Sequence, residues 1–343
     1  MLDAMDIANK FIFPAPQPSY DRNSYRRHLC WVPWNPAISP DKVADPECKD
    51  GIPCLWFPSS RAATVMLCLH GNAEDLGMSF SFIRHMRDQF KVNCIAVEYP
   101  SYGLLNHMTA SEEAVNECVF TVFRYLVDHL KVNYEHIIVF GRSIGSGPAT
   151  YIGSKFPIGG MILVSAFASI REAVHSIAGR VPSLLFNERF PNSSLIPNVT
   201  CPTLFIHGQK DGLIPPDHSV KLFQKCRARK LIITPDQMEH NSNLFSDAQY
   251  LAVPAINFFG LPGFCTNSPP VMPPELFERY ATMFRFYTVS IVMVLNFQVK
   301  CFVFKLYYVI IVSMFCIKIG VVTVHHPRLT ATEQVHRTRF PQM

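Results

Sequence analysis

Gly141-Arg142-Ser143-Ile144-Gly145 is the stretch richest in chemistry, because it follows an apolar run at Ile137 to Phe140 and precedes a segment of helical pattern. Glycines on both sides of a serine permit a sharp strand-to-helix turn that exposes the hydroxyl above a sheet. The NH of Ile144 and the start of the following helix would then face an oxyanion developing on a carbonyl. Such a serine transfers acyl groups when a histidine takes its proton and a carboxylate orients the histidine. On an elbow of this kind the partners follow the serine along the chain, acid first and base second.

Asp211 and His240 meet that order. Asp211 sits in His207-Gly208-Gln209-Lys210-Asp211-Gly212, directly after the apolar run Thr203 to Ile206, and a strand-end loop is where a carboxylate can hold an imidazole. His240 lies a short loop beyond Lys230 to Ile233 and can reach back across the C-terminal edge of a sheet. Asp217 and Asp236 compete as acids, and His207 and His218 as bases. His207 reads better as a scaffold residue, because it precedes its glycine at a strand end as His70 does, and His218 is expected to begin a surface helix.

A second oxyanion donor should come from the loop after an earlier strand. His70-Gly71-Asn72-Ala73 follows Thr64 to Leu69 and supplies it from the backbone of Asn72 or Ala73. His70 precedes the serine, so with Gly71 it is expected to order this loop rather than act as base.

These residues need a sheet with loops at one edge. Apolar runs at Thr64 to Leu69, Val92 to Val97, Ile137 to Phe140, Met161 to Val164, Thr203 to Ile206 and Lys230 to Ile233 alternate with helical stretches. Helices are predicted near Ser79 to Phe90, from Ser111 to Leu130 with Ser111 as N-cap, and from Ile144 to Phe156. For the second of these the expected apolar stripe is Ala114, Cys118, Phe123, Leu126 and Leu130. The alternation predicts an α/β protein with a mostly parallel, doubly wound sheet and flanking helices. Phe11 to Ser60, rich in Pro, Trp and Tyr, suits short edge strands. Ser165 to Val199 reads as a short lid with one helix around Ser169 to Ala178.

The 343 residues suffice for one large domain with extra segments at its ends. The expected divisions are an N-terminal extension and first strands over 1–60, a catalytic domain over 61–260, a Pro-rich linker over 261–282 and an apolar tail over 283–343. A net charge of +5 without a dense basic block argues against nucleic acid as a partner. Eleven cysteines, without a CxxC pair or a Cys/His cluster, fit reduced thiols and give no zinc site. No metal or other cofactor is expected. The N-terminus carries neither a basic n-region nor an apolar h-region, so a secretory signal is not expected and the sequons at Asn192 and Asn198 read as unmodified. Hydrophobic residues reach 49% and charged residues only 17%, an excess concentrated in the last quarter. Its uncharged runs, Phe286 to Val299 and Leu306 to Ile317, fall short of the roughly 18 to 20 residues of a clean spanning helix. A membrane anchor and a non-native extension both remain open for that tail.

Residues 64 to 260 resemble the α/β-hydrolase superfamily, and more narrowly the group typified by alpha/beta hydrolase domain-containing protein 17. The resemblance is carried by Phe13-Pro14-Ala15-Pro16, His70-Gly71-Asn72-Ala73 with Asp75-Leu76-Gly77, Tyr99-Pro100-Ser101-Tyr102-Gly103 and Gly141-Arg142-Ser143-Ile144-Gly145-Ser146-Gly147-Pro148. It implies a serine hydrolase fold and removal of palmitoyl groups from protein cysteines at the cytoplasmic face of a membrane, peripheral or tail-anchored, or in the cytoplasm. S-acylated proteins or lipid esters are the implied substrates and a membrane surface the implied partner. The chain departs from the group at Ser101, where glycine is usual, at Gln237-Met238-Glu239 before His240, and at its N-terminus, where the first cysteine is Cys30. A lipase or carboxylesterase with the same triad is the alternative enzyme, and a non-catalytic adaptor the alternative of another class.

Overall fold

The last six of the eight strands pair in parallel because each returns through a helix or crossover on a face of the sheet, as right-handed βαβ connections require. In this computed structural model the strands are β1 (Leu29–Val32), β2 (Ile52–Phe57), β3 (Val65–Leu69), β4 (Asn93–Val97), β5 (Ile137–Arg142), β6 (Gly160–Val164), β7 (Thr203–Ile206) and β8 (Lys230–Ile233). They form one sheet in the order β1-β2-β4-β3-β5-β6-β7-β8, with β1 and β2 joined antiparallel at one edge. The structure describes residues 9, 11–34, 51–184, 186–261 and 266–278.

Strands β2 to β7 are buried along their length, so their residues read as continuous Val, Ile, Leu and Phe runs rather than alternating ones. The two faces feed two apolar clusters, one including Leu67, Ile95 and Val139, the other Met66, Ala96 and Phe140. The helices α1 (Leu76–Phe90), α2 (Glu112–Asp128), α3 (Ser146–Lys155), α4 (Ile170–Ala178), α5 (Asp217–Lys225) and α6 (Ala252–Phe259) cover them.

Caps fix most of these ends. Asp75 accepts from Met78 N and starts α1 three residues before the expected Ser79; Ser111 accepts from Ala114 N and starts α2 as predicted. Of the stripe expected on α2, Cys118, Phe123 and Leu126 are buried, joined by Val115, Val119 and Val122, while Ala114 is half-exposed and Leu130 lies past the helix end. The sequence alone could not rank the competing apolar positions on a helix with this many. The predicted lid helix is α4, begun by the Ser169 side chain on Glu172 N. His218 begins α5 as expected but is buried, not on the surface, because its ring bonds Ala168 N at 3.2 Å and Ser176 Oγ at 2.9 Å.

The Pro-rich stretch needs correction. Within 261–282, read as a linker, residues 266–278 pack onto the domain. Met272 and Leu276 are buried in the core cluster, and Thr266 N donates to Arg61 O at 2.7 Å. Prolines keep the chain extended while two apolar side chains reach inward, so Pro content alone misled. A compact unit runs from Met1 to Tyr280, and the tail over 283–343 lies outside the described residues. Among the described residues, no helix is long and apolar enough to cross a membrane.

Candidate active site

β5 ends at Arg142, and Ser143 takes φ 51°, a left-handed backbone that a serine rarely adopts and that pushes its side chain out of the strand direction. The flanking glycines serve a different purpose from the one expected of them. Gly145 has φ −61°, which suits any residue, but a Cβ there would stand 2.4 Å from Leu69 O; one on Gly141 would stand 2.5 Å from Gly145 O. The elbow therefore needs glycine for close approach, and the strain sits on Ser143 itself. Ser146 Oγ donates to Ser143 O at 2.6 Å and ties the turn to α3.

His240 Nε2 lies 3.1 Å from Ser143 Oγ, and His240 Nδ1 lies 2.8 Å from Asp211 Oδ2. With Nδ1–H donating to the carboxylate, Nε2 presents a lone pair to the serine hydroxyl. Asp211 Oδ1 accepts from Leu213 N at 3.0 Å and Ile214 N at 2.8 Å. Its Oδ2 also faces His207 Nε2 at 3.2 Å. Burial would raise the Asp211 pKa, but the His207 and His240 hydrogen bonds outweigh it and hold the carboxyl well below the usual range. The acid and base loops are stitched together by Gln209 N to Pro235 O and Lys210 N to Met238 O. Gly208 allows this, since a Cβ there would meet Met238 O at 1.9 Å. His207 is thus a scaffold residue in contact with the acid, a link foreshadowed only by its four-residue spacing from Asp211. Asp217, His218 and Asp236 play no part in the triad contacts.

The loop after β3 is held from four sides. Gly71 N donates to Glu74 Oε1 at 2.6 Å, Asn72 Nδ2 donates to Ile12 O at 2.6 Å, and Tyr102 OH donates to Asn72 Oδ1. His70 Nδ1–H donates to Gly71 O at 2.8 Å, while its Nε2 faces Glu98 Oε1 at 3.2 Å in the interior. Burial lowers the His70 pKa, but Glu98 more than reverses this and leaves it above the ordinary histidine value. Glu98 also accepts from Tyr20 OH at 2.7 Å and Leu76 N at 3.2 Å. The Asn72 side chain being engaged in bracing, the loop can offer an oxyanion only its backbone. Gly71, Asn72, Ala73, Ser143, Ile144 and His240 line one cavity.

That cavity has a volume of about 740 Å³ and walls mainly of apolar side chains, among them Ile12, Phe167, Ile170, Val174, Ile177 and Phe186. Three come from α4, so the expected lid forms a wall. No group of three or more His, Cys, Asp or Glu is placed to hold a metal among the described residues.

A strained serine, an imidazole within hydrogen-bond reach and a carboxylate behind it form a charge-relay geometry on a strand-helix elbow. The family model described as Serine hydrolase (FSH1) matches residues 102–241, the span that holds Ser143, Asp211 and His240. Residues 102–241 are thus similar to a serine hydrolase domain, carried on a sheet of the α/β-hydrolase fold. The chain is 27% identical over 235 residues to alpha/beta hydrolase domain-containing protein 17B of Xenopus laevis, covering 64% of this chain and 80% of that one. It is 26% identical over 231 residues to alpha/beta hydrolase domain-containing protein aho-3 of Caenorhabditis elegans, covering 64% and 68%. Protein bem46 of Schizosaccharomyces pombe is 25% identical over 219 residues, covering 62% and 73%. A puromycin-hydrolyzing peptidase of Mycobacterium tuberculosis superposes with a TM-score of 0.49 at 14% identity, over 62% of this chain and 37% of that one.

Proposed function

We propose that the hydrolase cleaves long-chain acyl thioesters of protein cysteines, as an S-depalmitoylase. The observation that carries this reading is the apolar cavity of about 740 Å³ opening on Ser143, within the roughly 300–1,000 Å³ of ligand pockets. Ser143 attacks the carbonyl while His240 Nε2 takes its proton, Asp211 steadies the imidazolium, and the NH groups of Ile144 and of Asn72 or Ala73 receive the oxyanion. The protonated His240 then gives its proton to the departing thiolate. Water, deprotonated by the same imidazole, releases the fatty acid and restores Ser143.

Work at a membrane surface fits the rim of the cavity. Phe11, Ile177 and Leu213 line it yet are 70%, 56% and 47% exposed, an arrangement suited to drawing an acyl chain out of lipid.

The test is turnover of S-acyl cysteinyl peptides of graded chain length beside the matching oxygen esters. Each methylene buried in the cavity should raise kcat/KM by up to about fourfold, the equivalent of about 0.8 kcal/mol. A rate that peaks at acetyl or butyryl would overturn the long-chain reading, and a preference for oxygen esters would make the protein a lipase or carboxylesterase.

A further inference from the structure

His240 is the least anchored member of the triad by its place in the fold. It follows β8, an edge strand with one neighbour and half-buried residues throughout, and lies seven residues beyond it. Its side chain must nonetheless meet Ser143 Oγ at 3.1 Å. The turn that carries it, closed by Glu239 N on Ser242 Oγ at 2.8 Å and Ser242 N on Glu239 O at 3.2 Å, aims two carbonyls at one group. That group is Arg142, whose Nη2 donates to His240 O at 2.8 Å and to Ser242 O at 3.3 Å.

We propose that Arg142 is a positioning residue that locks the His240 turn onto the nucleophile elbow; the inference rests on the hydrolase reading above. Its backbone is the last residue of β5, registered against Val164 of β6, and its chain neighbour is Ser143. One guanidinium therefore ties the base to the strand that presents the nucleophile, across 98 residues of sequence. Among the described residues, no carboxylate forms an ion pair with it. Glu74 and Asp211 act on its charge only from further away, while burial works against that charge. A half-buried cation that gives its Nη2 hydrogens to two carbonyls of the base turn forms charge-assisted bonds, which are stronger than those of a neutral donor. Nη2 carries two hydrogens in a fixed plane and gives one to each carbonyl; a lysine ammonium has neither that reach nor that plane. Arg142 also lines both the acyl cavity and a neighbouring one of about 430 Å³ with Glu74, His85 and Asn241, so a free guanidinium ion has room to enter.

The experiment compares full-length wild type, Arg142→Met, Arg142→Lys and Arg142→Gly by fluorophosphonate labelling rate, thioester kcat and KM, and thermal midpoint. In Arg142→Met, kcat and labelling rate should fall by about ten- to a hundredfold, the scale of a base displaced by about an ångström, with KM little changed. Lysine should restore only part of this, and millimolar guanidinium chloride should accelerate Arg142→Gly while leaving wild type unchanged. Wild-type rates in Arg142→Met, or losses that follow melting and resist guanidinium in the Gly and Lys variants alike, would overturn the brace alone. Wild type that folds but neither labels nor turns over would instead overturn the hydrolase reading beneath it.

Discussion

Asp211 divides its oxygens between two backbone NH groups and two imidazoles, and only one of those imidazoles faces Ser143. Asp211→Asn keeps the shape but offers an NH2 where Nδ1–H donates, so the wrong tautomer is favoured. Thioester kcat should fall by about 10⁴ with the fold intact, the scale seen for that change in serine proteases. The His70–Glu98 pair predicts a pH effect on stability. A histidine whose pKa rises on folding adds stability fully present below its unfolded pKa of about 6.5 and lost as pH rises through the folded value. Urea unfolding of wild type and Glu98→Gln should therefore differ by about 3 kcal/mol in mildly acidic buffer and by less in alkali. A constant gap across pH would remove the charge from that pair. Ser143, Asp211 and His240 are legible in the sequence because a motif and a chain order single them out. Arg142, Glu98 and the His207 contact are not, since each depends on where a side chain points after strands far apart in sequence meet.

The elbow shows how a local pattern can be read correctly for an incomplete reason. Ser143 bears the unusual φ, and Gly145 is confined by the Leu69 and His70 carbonyls, at 2.4 and 2.8 Å from an added Cβ. Neither backbone atom can yield without moving β3. Gly145→Ala should cost on the order of 3 kcal/mol or more and abolish fluorophosphonate labelling, measured by thermal melting beside the labelling assay. Wild-type melting in that variant would mean the elbow is looser than drawn. Element positions from β3 to β8 follow from apolar runs bounded by turns, and the N-caps Ser111 and Ser169 are legible for the same local reason. α1 begins earlier than its apolar pattern predicts, at the Asp75 cap, which also accepts from Ser19 N at 2.6 Å, so a distant segment helps hold the cap.

The molecule uses its sheet as a platform and its outlying segments as braces. Residues near the N-terminus reach the oxyanion loop through Ile12 O and the Glu98 carboxylate behind it through Tyr20 OH, while Met272 and Leu276 complete the core from the other end of the described chain. Leu276→Ala should lower unfolding stability by about 2–4 kcal/mol in urea titration, whereas a true linker residue would change it negligibly. Apolar composition did not reveal this packing, because prolines give the stretch the look of a spacer and only tertiary contact distinguishes the two. The central claim is that these braces hold Ser143 and His240 ready for acyl transfer. Its most direct test is fluorophosphonate labelling of the wild type beside Ser143→Ala and His240→Ala, with folding checked by circular dichroism. The account predicts a labelled wild type and two unlabelled, folded variants; a Ser143→Ala protein that still labels, or a folded wild type that does not, would contradict it.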